Sequence, residues 1–338
     1  MKALVCTKPG KLEYANLPEP DLQSGHAIVR IRNICICGTD LHAYEGTQPF
    51  FNYPRILGHE LSGELVEFDN APGFQNGENV TFLPYLNCGE CIACRNGKSN
   101  CCINLQVCGV HIDGGMVDYY SIPTRLLVHA HGLNLTEMAM VEPLSVGAHG
   151  IRRAAVKPGE FVLVMGAGPI GLSAMEFARL EGAQLIVTDT NSHRLDFCMT
   201  KLGIQHGIQA GDANMMEQLM EITHGDMPGV VIDASGNRKA INQGLNYLAH
   251  GGRYILIGLQ KEELVFSHPD FHKRETTLMS SRNATREDFD RVIQCIKNGL
   301  IHPLLFITNR VKFNEAAKDF PNWLNPSNHT IKIVVEKD

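Results

Sequence analysis

The sequence predicts an α/β protein, with a doubly wound parallel sheet in the middle of the chain and short-stranded β material at both ends. Three observations carry this. From Pro158 onward, strand-length apolar runs alternate with helix-length amphipathic ones, the mark of a parallel sheet joined by crossover helices. The first of these runs, Phe161-Val162-Leu163-Val164-Met165, passes directly into Gly166-Ala167-Gly168-Pro169-Ile170-Gly171. Up to Val128, and again at Ile331 to Val335, the pattern is instead one of short apolar runs, in the first part punctuated by Pro and Gly, which reads as strands and turns.

A chain of 338 residues has a soft prior of two domains, and 44% hydrophobic with 20% charged residues describes an ordinary globular protein with a real core. The net charge of -6, with no basic run, argues against nucleic acid or an anionic membrane as a partner. At the N-terminus only Ala3 to Cys6 are apolar in a row, too few for a signal or a membrane span, so a cytoplasmic location is expected. Eleven cysteines, an odd number and partly clustered, point to metal rather than a secreted disulfide framework. No internal repeat and no low-complexity segment is found.

In chain order, Ala3-Leu4-Val5 and Ala27 to Ile31 read as strands around turns at Pro9-Gly10 and Pro18-Glu19-Pro20. Then comes Cys37-Gly38-Thr39-Asp40-Leu41-His42, an aromatic loop, and Gly58-His59-Glu60. Cys37, His59 and Glu60 offer a thiolate, an imidazole and a carboxylate, the mixed donor set that a catalytic zinc takes while keeping one position open. Ser62 to Phe68 and Asn79 to Phe82 continue the β pattern. Cys88-Gly89-Glu90-Cys91-Ile92-Ala93-Cys94 places three sulfurs on one tight turn, and Cys101 or Cys102 can complete a closed four-sulfur site; the spacing does not choose between them.

After β segments around Gly114-Gly115, a helical stretch begins near Thr136 and reaches Glu142-Pro143-Leu144. The proline biases Glu142 away from regular helix, so its carboxylate is expected at a bend, either beside a metal or in a salt bridge. In the central region the glycines of Gly166, Gly168 and Gly171 allow a tight turn and close backbone approach, with Pro169 and Ile170 opening the next helix. The second strand, Leu185 to Thr188, ends on Asp189, an acid 18 residues after Gly171. That constellation reads as a dinucleotide site, with pyrophosphate at the helix N-terminus and ribose hydroxyls on Asp189. Helices capped by Ser192 and running from Ala213 to Thr223 and through Leu248 are expected among strands at 230–233, 254–258 and 276–280. Two mononucleotide-binding halves fit inside 144–282, and an amphipathic helix from Arg286 to Lys297 follows.

With these motifs in order, the chain resembles the zinc-dependent medium-chain alcohol dehydrogenases, and within them the polyol, threonine and sugar-acid dehydrogenases. The resemblance spans nearly the whole length. It implies a GroES-like β domain at 1–143 completed by 283–338, and a Rossmann domain at 144–282. It implies an enzyme that moves a hydride from the secondary alcohol of a sugar acid or polyol to NAD, with two zinc ions per chain, in a homodimer or homotetramer. Amino alcohols of the threonine type, or a catalytically silent dinucleotide-binding protein, are the alternatives. Carried over by position, Cys37 and His59 are zinc ligands, Glu60 and Glu142 occupy two positions that the family uses variably, either of which can supply the inner-sphere carboxylate, and Thr39 with His42 form a proton relay. Cys88, Cys91, Cys94 and Cys102 hold the structural zinc, leaving Cys101 over. Arg194 lies close enough to Asp189 in sequence to soften a preference for NAD over its phosphorylated form. Arg282, just after the last Rossmann strand, is placed to hold a substrate carboxylate; an interdomain salt bridge is its ordinary alternative.

Overall fold

The computed structural model describes residues 1–337. Its chain divides into two compact units, Met1–Glu142 with Thr285–Asp338, and Pro143–Ala284.

In the first unit, β1 (Lys2–Lys8), β2 (Lys11–Asn16) and β4 (Arg55–Ile56) form a small sheet in the order β2-β1-β4. The main sheet takes β3 (His26–Ile36), β5 (Glu60–Phe68), β6 (Asn79–Phe82), β9 (Tyr119–Pro123), β10 (Leu127–His129), β17 (Ile307–Lys312) and β18 (Lys332–Glu336). Its order is β10-β6-β5-β3-β18-β17, with β9 also on β3. The C-terminal strand therefore returns to the N-terminal sheet, antiparallel to β3 with Val334 opposite Cys35. Two short strands, β7 (Tyr85–Leu86) and β8 (Gln106–Val107), pair separately. The helices of this unit include α1 (Gly38–Glu45), α2 (Ile92–Arg95) and α3 (Leu135–Ala139), and α4 (Val141–Ala154) begins in it.

One local expectation is corrected here. Pro143 does not bend the chain at Glu142; it is the third residue of α4, within the first helical turn, where a missing N–H costs no hydrogen bond. The stretch after Cys37, to which the sequence reading gave no element, is helical. It folds into α1, which is short, shows no amphipathic pattern to announce a helix, and has a cysteine rather than Ser, Thr, Asp or Asn at its cap position.

In the second unit, β11 (Phe161–Met165), β12 (Gln184–Asp189), β13 (His206–Gln209), β14 (Val230–Asp233), β15 (Arg253–Leu256) and β16 (Thr277–Ser280) are parallel, in the order β13-β12-β11-β14-β15-β16. Counted from β11, that is the doubly wound order 3-2-1-4-5-6, whose winding reverses between β11 and β14. Leu163, Met165, Ile186, Ile208, Val231 and Tyr254 bury one face under Met215 and Leu219. The crossover helices include α5 (Pro169–Leu180), α6 (Ser192–Lys201), α7 (Met215–Ile222) and α8 (Arg238–Gly244). The cap of α6 is Asn191, whose side chain accepts from His193 N, and not Ser192, which is already helical. No helix among the described residues is long and apolar enough to cross a membrane.

Candidate functional site

Cys37, His59 and Glu60 come from three different backbone settings and are held together by one buried carboxylate and one strand register. Cys37 follows β3 and caps α1, and Glu60 opens β5, which is antiparallel to β3 with Cys35 opposite Glu60. Asp40, fully buried on α1, accepts from Cys37 N at 2.9 Å and from Gly58 N at 3.1 Å, so it pins both ligand-bearing segments. Gly58 sits at φ +96, a conformation that L side chains resist, and this turn delivers His59 to the interior. One ligand atom from each of Cys37, His59 and Glu60 then lies within 4.8 Å of the others.

The electrostatics of this cluster favour a cation. Burial alone would lower the His59 imidazole, but Asp40 and the Cys37 sulfur reverse that and hold it well above its ordinary value. Its Nδ1 is buried, makes no hydrogen bond and stands 3.9 Å from Asp40 Oδ1. An orphaned buried nitrogen beside a thiol and carboxylates is a donor set that fits zinc. Glu60 is buried against Lys332, whose Nζ donates to Glu60 Oε1 at 2.6 Å and to Ile36 O at 3.1 Å. Glu142 in the first turn of α4 accepts from the Tyr85 hydroxyl; burial, opposed by His59 and reinforced by Glu60, pushes its carboxyl up to about 7.

Thr39 and His42 lie three residues apart on α1, hence on one helical face. Thr39 is half-buried, whereas His42 is exposed, with Nδ1 3.1 Å from Thr47 Oγ1 and 3.4 Å from Glu45 Oε2. Asp40, Tyr85 and Lys332 were not singled out from the sequence. Of these only Lys332 left a trace, as a lone cation inside the apolar run Ile331 to Val335.

The cysteine lobe forms a second cluster. One sulfur from each of Cys88, Cys91, Cys94 and Cys102 lies within 4.8 Å of the rest, while Cys101 is exposed and outside it. Cys91 and Cys94 sulfurs are 3.5 Å apart and those of Cys88 and Cys102 3.4 Å, close to the edge of about 3.8 Å in a zinc–thiolate tetrahedron with 2.3 Å bonds. Backbone N–H groups of Cys88, Cys91 and Asn104 point at these sulfurs. Such donors stabilise thiolates; at Cys91 itself the N–H groups of Cys94 and Ile103 draw the thiol down to about 6.

In the second unit, the glycine turn lies where the sheet reverses its winding. A Cβ on Gly171 would stand 1.8 Å from Gly166 O, and one on Gly166 would stand 2.9 Å from Ser235 N after β14, so neither position admits a side chain. Gly168 caps α5, and Pro169 starts it with a missing N–H that the first turn does not need. Asp189 ends β12; its Oδ2 accepts from Ala167 N at 2.6 Å and its Oδ1 from Asn191 N at 2.8 Å, tying the turn to the strand end. Arg194 on α6 brings its guanidinium beside Gly168. The structure thus gathers Gly166, Gly168, Pro169, Ile170, Gly171, Asp189 and Arg194 in one place. Arg282 is exposed, two residues beyond the carboxyl end of β16.

Residues 23–132 match the model of the alcohol dehydrogenase GroES-like domain, and residues 169–298 that of the zinc-binding dehydrogenases. The chain is 41% identical over 336 residues to L-galactonate-5-dehydrogenase of Escherichia coli (strain K12), covering 99% of this chain and 98% of that protein. The chain belongs to the zinc-dependent alcohol dehydrogenase family. It is also 30% identical to a sorbitol dehydrogenase of Halalkalibacterium halodurans over 95% of both chains. The crystal structure of the rspB alcohol dehydrogenase of Escherichia coli CFT073, complexed with NADH, superposes with a TM-score of 0.92 at 27% identity, covering 99% of each chain. This dehydrogenase is accordingly an oxidoreductase acting on CH–OH donors, a small-molecule enzyme with zinc and a nicotinamide dinucleotide as cofactors. Its α/β architecture has the doubly wound parallel sheet that the sequence pattern predicts and the GroES-like β unit that the resemblance implies.

Proposed function

We propose that the enzyme oxidises a secondary alcohol of a sugar acid to the ketone, with NAD as hydride acceptor. The observation that carries this reading is the 41% identity, across nearly the whole chain, to an L-galactonate-5-dehydrogenase. A polyol substrate is the second reading, supported by the 30% identity to a sorbitol dehydrogenase.

Cys37, His59 and Glu60 hold the catalytic zinc in this reading, and Cys88, Cys91, Cys94 and Cys102 the structural one. When bound, the catalytic zinc supplies the Lewis acidity that makes a secondary alcohol acidic near neutral pH. The O–H bond of the substrate gives up its proton, and the C–H bond breaks with its electron pair leaving as hydride to the nicotinamide. Thr39 takes the proton at its hydroxyl as it releases its own toward His42, one helical turn on, and the exposed His42 hands a proton to water. Glu142, pushed up to about 7 and held by Tyr85, is poised to take or return a proton in the working pH range. The Gly166–Gly171 turn cradles the pyrophosphate, Asp189 and Arg194 meet the adenosine ribose, and Arg282 holds the substrate carboxylate. The same reading carries a cytoplasmic homodimer or homotetramer, to be checked by light scattering on the purified enzyme.

The test is NAD reduction by the zinc-replete enzyme over matched aldonates, neutral polyols and amino alcohols. The proposal expects kcat/KM at least about tenfold higher for an aldonate than for its polyol. A reversed ratio selects the polyol reading, and preference for an amino alcohol selects the threonine type. A zinc-loaded enzyme that turns over none of them would overturn all three.

A further inference from the structure

Glu78, His129 and His131 lie apart from the clusters described above and share the edge of the main sheet. Glu78 immediately precedes β6, and β10, the edge strand, runs antiparallel to it with His129 opposite Val80. His131 lies in the turn that follows β10, and that turn brings it back beside His129. The two rings are stacked with centroids 5.2 Å apart.

Both imidazoles converge on one carboxylate oxygen. Glu78 Oε1 is 3.0 Å from His129 Nδ1 and 3.4 Å from His131 Nε2, and the three ligand atoms lie within 4.8 Å of one another. A tetrahedral ion with bonds of about 2.0–2.1 Å has ligand-to-ligand edges of about 3.3 Å, so both measured separations are close to ligand edges. An ordinary ion pair needs one imidazole, and two protonated ones at the same oxygen would repel each other. The groups are also held in place without help from each other. Gln75 N donates to Glu78 Oε2 at 3.2 Å, and the His129 ring lies flat on Phe74 at 3.7 Å and 11°. The Glu78 side chain is 12% exposed, whereas His129 and His131 are 42% and 66% exposed, which leaves the open side to solvent.

We propose that Glu78, His129 and His131 form a further divalent-metal site of the zinc class, which clamps edge strand β10 to the turn before β6. Two imidazoles and a carboxylate suit zinc, nickel or copper, and do not suit magnesium or calcium, which take oxygen ligands. Water completes the coordination. Such an ion binds only the folded register of β6 and β10, so it stabilises the native sheet by linkage.

The experiment compares the full-length zinc-replete enzyme with His131→Ala, a substitution at an exposed ring, and with Glu78→Gln. Each is dialysed against micromolar zinc at neutral pH, and zinc per chain is counted by mass spectrometry alongside a thermal melt with and without added zinc. The wild type is expected to hold one zinc per chain more than His131→Ala, and its melting temperature to rise with zinc while that of the variant does not, at unchanged turnover. Equal zinc content in wild type and His131→Ala, or an equal thermal response, overturns the site. Should Glu78→Gln fail to fold, the His131→Ala comparison decides alone.

Discussion

Lys332 Nζ donates to Glu60 Oε1 at 2.6 Å across 272 positions of sequence, and both side chains are 1% exposed. Burial alone would push the lysine ammonium down, but the Glu60 carboxylate and the Cys37 and Cys35 sulfurs more than reverse this and raise it. Removing one partner of such a pair strands the other as an uncompensated buried charge, at a cost of about 3–5 kcal/mol. Lys332→Met is therefore expected to lower the unfolding free energy by that amount in urea denaturation compared at equal zinc content. Adding Glu60→Gln should restore most of it. A single Lys332→Met protein as stable as wild type would mean that Glu60 is neutralised by something else.

The hydroxyl of Tyr85 donates to Glu142, and a hydrogen bond to a charged group contributes about 1.5–3 kcal/mol. Burial has already pushed this carboxyl up to about 7. Tyr85→Phe removes a donor that favours the ionised form, so the carboxyl should rise further. If the reaction uses the ionised form, the acid limb of kcat/KM moves to higher pH in Tyr85→Phe. An unshifted acid limb would remove Glu142 from the proton path.

How much of this was legible in the sequence depends on how far apart the partners lie along the chain. The glycine turn, the cysteine lobe and Gly58-His59-Glu60 are compact motifs whose spacing alone restricts what they can do. Tyr85 and Glu142 are 57 positions apart, and no local pattern links them. Lys332 meets Glu60 only because β18 and β5 both lie against β3 in a fixed register, which a reading of one segment at a time does not supply. Asp40 was nearer to hand, three residues after Cys37 at the position where an acid closes a helix start, but a cysteine cap hid that signature. At Pro143 the rule that proline disfavours helix before it gave way to the tolerance of a first turn, where the chain had not yet formed the bond that proline removes.

Cys91 caps α2 with its sulfur 3.5 Å from that of Cys94. Cys91→Ser takes one thiolate out of a closed set whose metal supplies folding free energy, apparent values being about 10–16 kcal/mol in zinc-finger peptides. Zinc per chain should fall by one and the melting temperature should drop, with turnover per folded molecule kept. Loss of turnover at full thermal stability and undiminished zinc would instead give the lobe a catalytic role.

Asp189 faces the glycine turn through Ala167 N and is expected to choose the cofactor. Its carboxylate can accept from ribose hydroxyls but repels a 2′-phosphate carrying about two negative charges. Wild-type kcat/KM should favour NAD over NADP by about 100-fold, or about 2.7 kcal/mol. Asp189→Ala should narrow that ratio while raising KM for NAD. Equal use of the two cofactors by the wild type would show that Asp189 does not set the choice, and would turn attention to Arg194 beside Gly168.

Arg282 is the residue on which the sugar-acid reading can be separated from the polyol one. It is exposed just past the carboxyl end of β16, the side of a parallel sheet on which ligands collect, and a guanidinium can hold a carboxylate through two parallel hydrogen bonds. If it grips the substrate equally in the ground and transition states, Arg282→Ala raises KM for the aldonate, leaves kcat near its original value and spares neutral polyols. A loss of one charged hydrogen-bond pair, about 1.5–3 kcal/mol, corresponds to a KM increase of roughly ten- to a hundred-fold. Arg282→Lys should recover only part of it, because an ammonium cannot reproduce the planar fork. An equal fall on acid and neutral substrates, or a lower melting temperature with unchanged kinetics, assigns Arg282 to structure and removes the carboxylate grip from the proposal.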